Sequence, residues 1–307
     1  MMELDEIEKE LLGRVADISG IPEGAYNFRV NGKSIGKNST ANIEVETKTD
    51  KSGLNVKVKP GTKKDVVHIP VIISKSGHKE TVYNDFYIGD NSEVTIVAGC
   101  GIYNCGAKSS IHDGVHVFHV GKNCKVKYIE KHYGTGPSAG KILNPTTELH
   151  LEENSYVELE LEQIAGVDST NRLTKAELEK NAKINVVEKL LTHGRQVAKS
   201  NIEVNLNGEN STADIVSRSV ARDISKQDFK LHITGKTTCR GHSECNAIIT
   251  DDAKVVATPS LNAESLNAEL IHEAAIGKIA GTEINKLMTL GLTSTEAEAQ
   301  IINGFLK

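Results

Sequence analysis

The sequence predicts a mainly β solenoid, and three observations predict it. A short phrase recurs along the chain: Ile88-Gly-Asp-Asn91-Ser-Glu-Val94, Val120-Gly-Lys-Asn123-Cys-Lys-Val126, Leu151-Glu-Glu-Asn154-Ser-Tyr-Val157, Leu178-Glu-Lys-Asn181-Ala-Lys-Ile184 and Leu206-Asn-Gly-Glu-Asn210-Ser-Thr-Ala213. Its asparagines are 32, 31, 27 and 29 residues apart, within the roughly 20–50 residues of stacked-repeat architectures. Between the phrases run short stretches that alternate apolar and polar side chains, as half-buried strands do. Asn tolerates left-handed backbone angles and bonds its own chain, so it suits a corner between two strands. A looser copy, Ile249-Thr-Asp-Asp252-Ala-Lys-Val255, follows a gap long enough for more than one further rung.

The elements follow in order. Residues 3–16 place Leu4, Ile7, Leu11 and Val15 at helical spacing, and Ile21-Pro-Glu-Gly24 reads as a turn. Asn42 to Thr47 and Leu54 to Lys59 alternate as strands, while Val66 to Ile73 is a continuous apolar run expected to be covered on both faces. Residues 174–180 have helical composition inside the repeat and are read as a local excursion or an outer turn. From about residue 264 Ala, Leu, Ile and Glu replace the alternation, which predicts about three short helices. Gly281 and Gly291 are expected to end helices. Thr293-Ser-Thr-Glu296 fits a capping box, with Ala297, Ile301 and Leu306 on one apolar face. The expected division is a helical segment over 1–25, a β core over 26–263 and a helical segment over 264–307.

Composition narrows the function classes. Trp is absent and aromatics make up 4% of the chain, which suits a narrow core of Val, Ile, Leu and Ala. Net charge is −5 with both signs interleaved, so a basic nucleic-acid face is not expected. No apolar run approaches the roughly 20 residues of a membrane span. The start lacks the pattern of a signal peptide, and the expected location is the cytoplasm. In that compartment the five cysteines (100, 105, 124, 239 and 245) read as small buried hydrophobes rather than a disulfide framework.

Three groups carry possible chemistry. Cys245 precedes Glu273 by 28 residues, about one repeat, so stacking would bring a thiol and a carboxylate together with His272 alongside. Such donors hold iron or zinc; the alternative is a buried thiol near a helix cap. Cys100 and Cys105, followed by His112, His116 and His119, form a second region rich in soft donors, although the spacing matches no standard metal loop. In the third, Cys239-Arg-Gly-His242-Ser-Glu-Cys245, Arg240-Gly241 reads as a turn. No G-x-S-x-G elbow and no phosphate-binding loop of the G-x-x-x-x-G-K-[ST] type occurs. Gly134 to Gly140 reads as an exposed loop. The acidic run Glu158-Leu-Glu160-Leu-Glu162 reads as a solvated face, with a solenoid carbohydrate lyase or hydrolase as the rival reading. A structural solenoid that only binds partners is the other.

The C-terminal stretch His272-Glu-Ala-Ala-Ile-Gly-Lys-Ile279, then Leu287-Met-Thr-Leu-Gly-Leu-Thr-Ser-Thr-Glu-Ala297 and Ile301-Ile-Asn-Gly-Phe-Leu306, resembles the SufB/SufD family of iron–sulfur cluster assembly components. The resemblance extends back through Cys245-Asn-Ala-Ile-Ile to about residue 80. It implies a right-handed parallel β-helix with short N-terminal and C-terminal helical segments, acting as a non-enzymatic scaffold. It implies that the C-terminal helices dock an ABC-type ATPase, SufC, which would hydrolyse the ATP. It also implies that two such subunits pair through their β-helices, as a homodimer or a SufB/SufD heterodimer, to build a transient iron–sulfur cluster. By the same resemblance Cys245 is the cluster or sulfur acceptor, Glu273 a further ligand with His272 beside it, and Cys100 a carrier of incoming sulfur. Retention of Cys245 favours a SufB-like role. The chain is shorter than a typical SufB at its N-terminal side.

Overall fold

The computed structural model describes residues 4–307. Helix α1 (Glu6–Ala16) opens the chain and is capped by Asp5, whose side chain accepts from the Glu8 backbone N–H. Two antiparallel hairpins follow, β1 (Ala25–Val30) with β2 (Lys33–Asn38), and β3 (Ile43–Thr47) with β4 (Gly53–Val58). The chain then coils, alternating between two sheets. β5 (Asp65–Ile73), β6 (Lys79–Ile88), β7 (Glu93–Tyr103), β8 (Ser110–Val120) and β9 (Lys125–Thr135) lead to β10 (Lys141–Leu143) and β11 (Thr146–Leu151). These last two are one strand interrupted at Asn144-Pro145, where proline offers no N–H to the ladder. β12 (Tyr156–Ala165), β13 (Ser169–Leu178), β14 (Lys183–Thr192), β15 (Val197–Leu206), β16 (Thr212–Ala221), β17 (Lys226–Gly235), β18 (Cys239–Ile249), β19 (Lys254–Ala263) and β20 (Ala268–Gly277) continue the coil. Helices α2 (Gly281–Met288) and α3 (Ser294–Phe305) end it.

The first sheet runs β2-β1-β5-β7-β9-β12-β14-β16-β18-β20, and the second carries the intervening strands. Every pairing between successive turns is parallel. The result is a mainly β parallel solenoid of about eight turns. Its interior is one continuous cluster of Val, Ile, Leu, Ala, Phe, Tyr and Cys from Ala25 to Cys245. Strands buried on one face keep register firmly, because a slip of one residue turns every side chain to the other face.

The recurring asparagines sit at the corners leading from the second sheet into the first. Asn91, Asn123, Asn154, Asn181 and Asn210 all have φ between 56° and 61°. Each amide Nδ2 from Asn123 onward donates to the Oδ1 of the preceding asparagine, at 3.3, 3.2, 2.9 and 3.3 Å. The looser copy belongs elsewhere. Residues 250–253 form an opposite corner, from the first sheet into the second, and the left-handed residue there is Asp251. Asp251 Oδ2 accepts from the Asp223 N–H, and Asp223 Oδ2 accepts from the Gly194 N–H. The next asparagine-side corner is the 236–238 turn, whose Thr238 carbonyl accepts from the Asn210 N–H.

Several expectations are corrected. Residues 174–178 belong to β13, paired on both sides by β11 and β15. Arg240 and Gly241 lie inside β18, not in a turn; a Cβ on Gly241 would stand 2.9 Å from Leu270. Residues 268–277 form the last strand, so two helices, not three, close the chain, and Gly281 begins α2 rather than ending a helix. Sheet pairing overrides helical composition in both stretches. The capping box at Thr293 and Glu296 forms as expected, and Gly291 has φ 97° just beyond α2. Helix α1 lies on β5, β7 and β9, burying Leu11, Leu12 and Val15 and covering the second face of the 66–73 run. Among the described residues, no helix is long and apolar enough to cross a membrane.

Candidate functional site

β18 and β20 are the last two strands of the first sheet, and their register decides what Cys245 meets. Cys245 stands opposite Ala274, Glu244 opposite Glu273 and Ser243 opposite His272. The offset is 29 residues, whereas Cys245 and Glu273 are 28 apart. That single residue sends the two side chains to opposite faces of the sheet. Cys245 points into the solenoid and is 2% exposed. Burial, and then the charge of Glu188, push its thiol up to about 11. His272 shares the interior face, diagonal to Cys245, and its Nδ1 shares a hydrogen bond of 2.7 Å with the Ser243 hydroxyl. Its Nε2 is buried without a partner.

Glu273 lies outside. Its carboxylate is 3.8 Å from His242 Nε2, and His242 Nδ1 is 2.8 Å from Asp214 Oδ1. The expected meeting of thiol and carboxylate is therefore corrected: Cys245 and His272 are brought together, and Glu273 is not. Among the described residues, no three His, Cys, Asp or Glu side chains stand in metal-holding positions.

Cys100 lies at the other end of the interior and is 3% exposed. The glycines flanking it serve packing. A Cβ on Gly99 would stand 2.3 Å from the Val15 carbonyl oxygen, and one on Gly101 3.0 Å from Leu11, so both glycines let α1 approach. Cys100 faces a small cavity of about 20 Å³ shared with His112, His116, Glu130 and His132, room for about one water. Burial, then Glu80 and Glu130, hold its thiol well above the ordinary cysteine value. Cys105 is exposed, and His119 faces outward.

A buried polar chain starts at this cavity. The Tyr128 hydroxyl donates to Glu130 Oε2 at 3.2 Å and shares a 2.6 Å bond with His116 Nδ1. Arg172 Nη1 donates to Glu130 Oε2 at 3.1 Å, and Arg172 Nη2 donates to His132 Nδ1 at 3.4 Å. The latter leaves His132 Nε2–H to donate to Glu130 Oε1 at 2.7 Å. Arg172 Nε lies 3.6 Å from Glu188 Oε1. Glu188 also accepts from Ser200 at 2.7 Å and from Ser217 at 3.2 Å, and Ser217 stands opposite Cys245. Burial opposes ionisation of Glu130, but Arg172 and His132 outweigh it and hold the carboxyl well below its usual range.

The family model described as SUF system FeS cluster assembly, SufBD core domain, matches residues 73–305. The chain belongs to the SufBD family. It is 29% identical over 260 residues to an iron–sulfur cluster assembly SufBD family protein of Archaeoglobus fulgidus, covering 84% of this chain and 69% of that protein. It is 27% identical over 270 residues to one from Methanocaldococcus jannaschii, covering 86% and 84%. A Pyrococcus horikoshii relative is 28% identical over 322 residues, covering 97% and 94%. The chain is thus a SufBD-family iron–sulfur cluster assembly protein.

In this SufBD chain, the reading of sequence spacing missed Glu130, His132, Arg172 and Glu188. Strand parity is the signal that finds them. Val126 and Tyr128, Thr174 and Ala176, and Ile184 and Val186 face inward, so Glu130 and His132, Arg172, and Glu188 must as well. A charged residue in an inward column marks a buried polar network.

Proposed function

We propose that this SufBD protein is the non-catalytic scaffold of an assembly complex, with Cys245 as its cluster-handling thiol and the end of the solenoid as its pairing surface. The observation that carries the reading is the position of Cys245: inside the tube, one strand from an edge that no further strand covers. β19 and β20 form that edge, and Val256, Leu261, Ile271 and Ile276 on them are all more than a third exposed. An open, apolar strand edge is a surface that proteins cover. A second SufBD subunit, identical or of the SufB/SufD counterpart kind, covers it by pairing.

The nascent cluster is the cargo of this site. Cys245 supplies a thiolate, the strongest iron ligand present, and His272 a nitrogen from the same face. Glu273, on the outer face, serves at the pairing surface rather than beside the thiol. One chain provides too few converging donors, so the paired subunit completes the set. Cys100 carries incoming sulfur, and the polar chain through Glu130, Arg172 and Glu188 supports a route from its cavity to Ser217 and Cys245. Helix α2 and the turn after it expose Met288 and Leu290, and helices α2 and α3 dock the ABC-type ATPase SufC, which supplies ATP hydrolysis.

Anaerobic reconstitution with ferrous iron and sulfide tests the scaffold. Wild-type protein is expected to develop sulfur-to-iron charge-transfer bands in the visible, and Cys245→Ser to lose most of them. Bands of full intensity in the variant would remove Cys245 from the site.

A further inference from the structure

The outer face of the second sheet carries a column of stacked rings that the cluster reading does not use. Tyr87, His119 and His150 occupy the same outward position on β6, β8 and β11. The Tyr87 and His119 rings are stacked with centroids 4.9 Å apart, and the His119 and His150 rings 5.5 Å apart at 13°. Lys57 follows on the Tyr87 side and Glu177 on the His150 side. Glu177 is engaged, since its carboxylate accepts from Asn205 and Asn207. The His119 and His150 backbones pair in the ladder, and among the described residues neither ring hydrogen-bonds to the protein.

Stacking alone does not account for two imidazoles in succession. A phenyl or phenol ring would fill either place, and two adjacent imidazoles repel when both are charged. What imidazoles add is a nitrogen lone pair on each of two neighbouring strands, at a fixed separation of about 4.8 Å between backbones. Burial, and then the neighbouring His150, lower the His119 pKa. Metal–nitrogen bonds of about 2.1 Å put two cis ligand nitrogens roughly 3 Å apart. In the stacked arrangement the rings face one another at 5.5 Å, so chelation requires both exposed side chains to rotate until their nitrogens converge on one ion. Glu152 borders the same groove.

We propose that His119 and His150 form a chelate for one borderline divalent cation of the zinc, nickel or ferrous class. Imidazole is the ligand these ions share. The site lies on the outside of the second sheet, apart from Cys245, which lies inside against the first. It stands independently of the cluster reading.

Nickel titration of the full chain by calorimetry, with the exposed Cys105 thiol blocked by iodoacetamide, tests the site. Wild-type protein is expected to show one nickel per chain assigned to this pair. His119→Ala and His150→Ala should each weaken it roughly tenfold or more, and the double variant should abolish it. Tyr87→Phe should leave it unchanged. Histidine-labelled protein gives a second readout: nickel, being paramagnetic, should broaden the His119 and His150 ring signals before those of the other nine histidines. An isotherm unchanged in the double variant, or earlier broadening at other histidines, would overturn the proposal.

Discussion

Arg172 is the residue on which the interior polar chain turns. Its guanidinium lies between Glu130 and Glu188, all three at most 5% exposed. Removing one partner of a buried ion pair leaves an uncompensated charge and costs about 3–5 kcal/mol. Arg172→Met is therefore expected to lower unfolding free energy by that order, measured by urea titration. His116 sets an acid limit. Burial holds its pKa down at about 4, against an ordinary value of 6.5. The unfolded chain thus takes up the proton first as pH falls. The stability contributed is complete above about pH 6.5 and is lost as pH drops toward 4, by about 3 kcal/mol. Thermal melts between pH 7 and 4 should show the fall, and His116→Gln should flatten it. At this scale the candidate site was only half legible in sequence. Repeat spacing found Cys245 and His272, yet it misplaced Glu273, because a period known to within a residue or two cannot say which face a side chain takes.

Among the elements, the asparagine corners were the most legible, since the left-handed backbone they need restricts which residues fit. Asn154→Ala puts at φ 60° a residue that tolerates the left-handed region less well than asparagine, and removes the ladder bonds to Asn123 and Asn181. A loss of roughly 1–3 kcal/mol is expected, and Asn154→Gly, free of the backbone strain, should lose less. Helix α1 offers a second test. Gly99→Ala drives a methyl against the Val15 carbonyl and the Lys131 carbonyl, at 2.3 and 2.8 Å. Hydrogen exchange should report loss of protection in α1, with the central strands unchanged. The last strand was not legible. Ala268 to Gly277 has the composition of a helix, and only pairing with β18 makes it a strand. The same long-range pairing decided residues 174–178, and nothing local reports it.

For the whole molecule, the sequence foretold a solenoid but not where its usable surface lies. One parallel coil encloses a polar chain reaching from Cys100 toward Cys245 and ends in a bare two-strand edge next to that thiol. Because the donors of one chain do not converge, a cluster is expected to form only where two such edges meet. Native mass spectrometry of anaerobically reconstituted protein tests this directly. Cluster mass is expected on the paired species alone, with none on single chains and none on pairs of the Cys245→Ser variant. A full cluster carried by a single chain would contradict the claim.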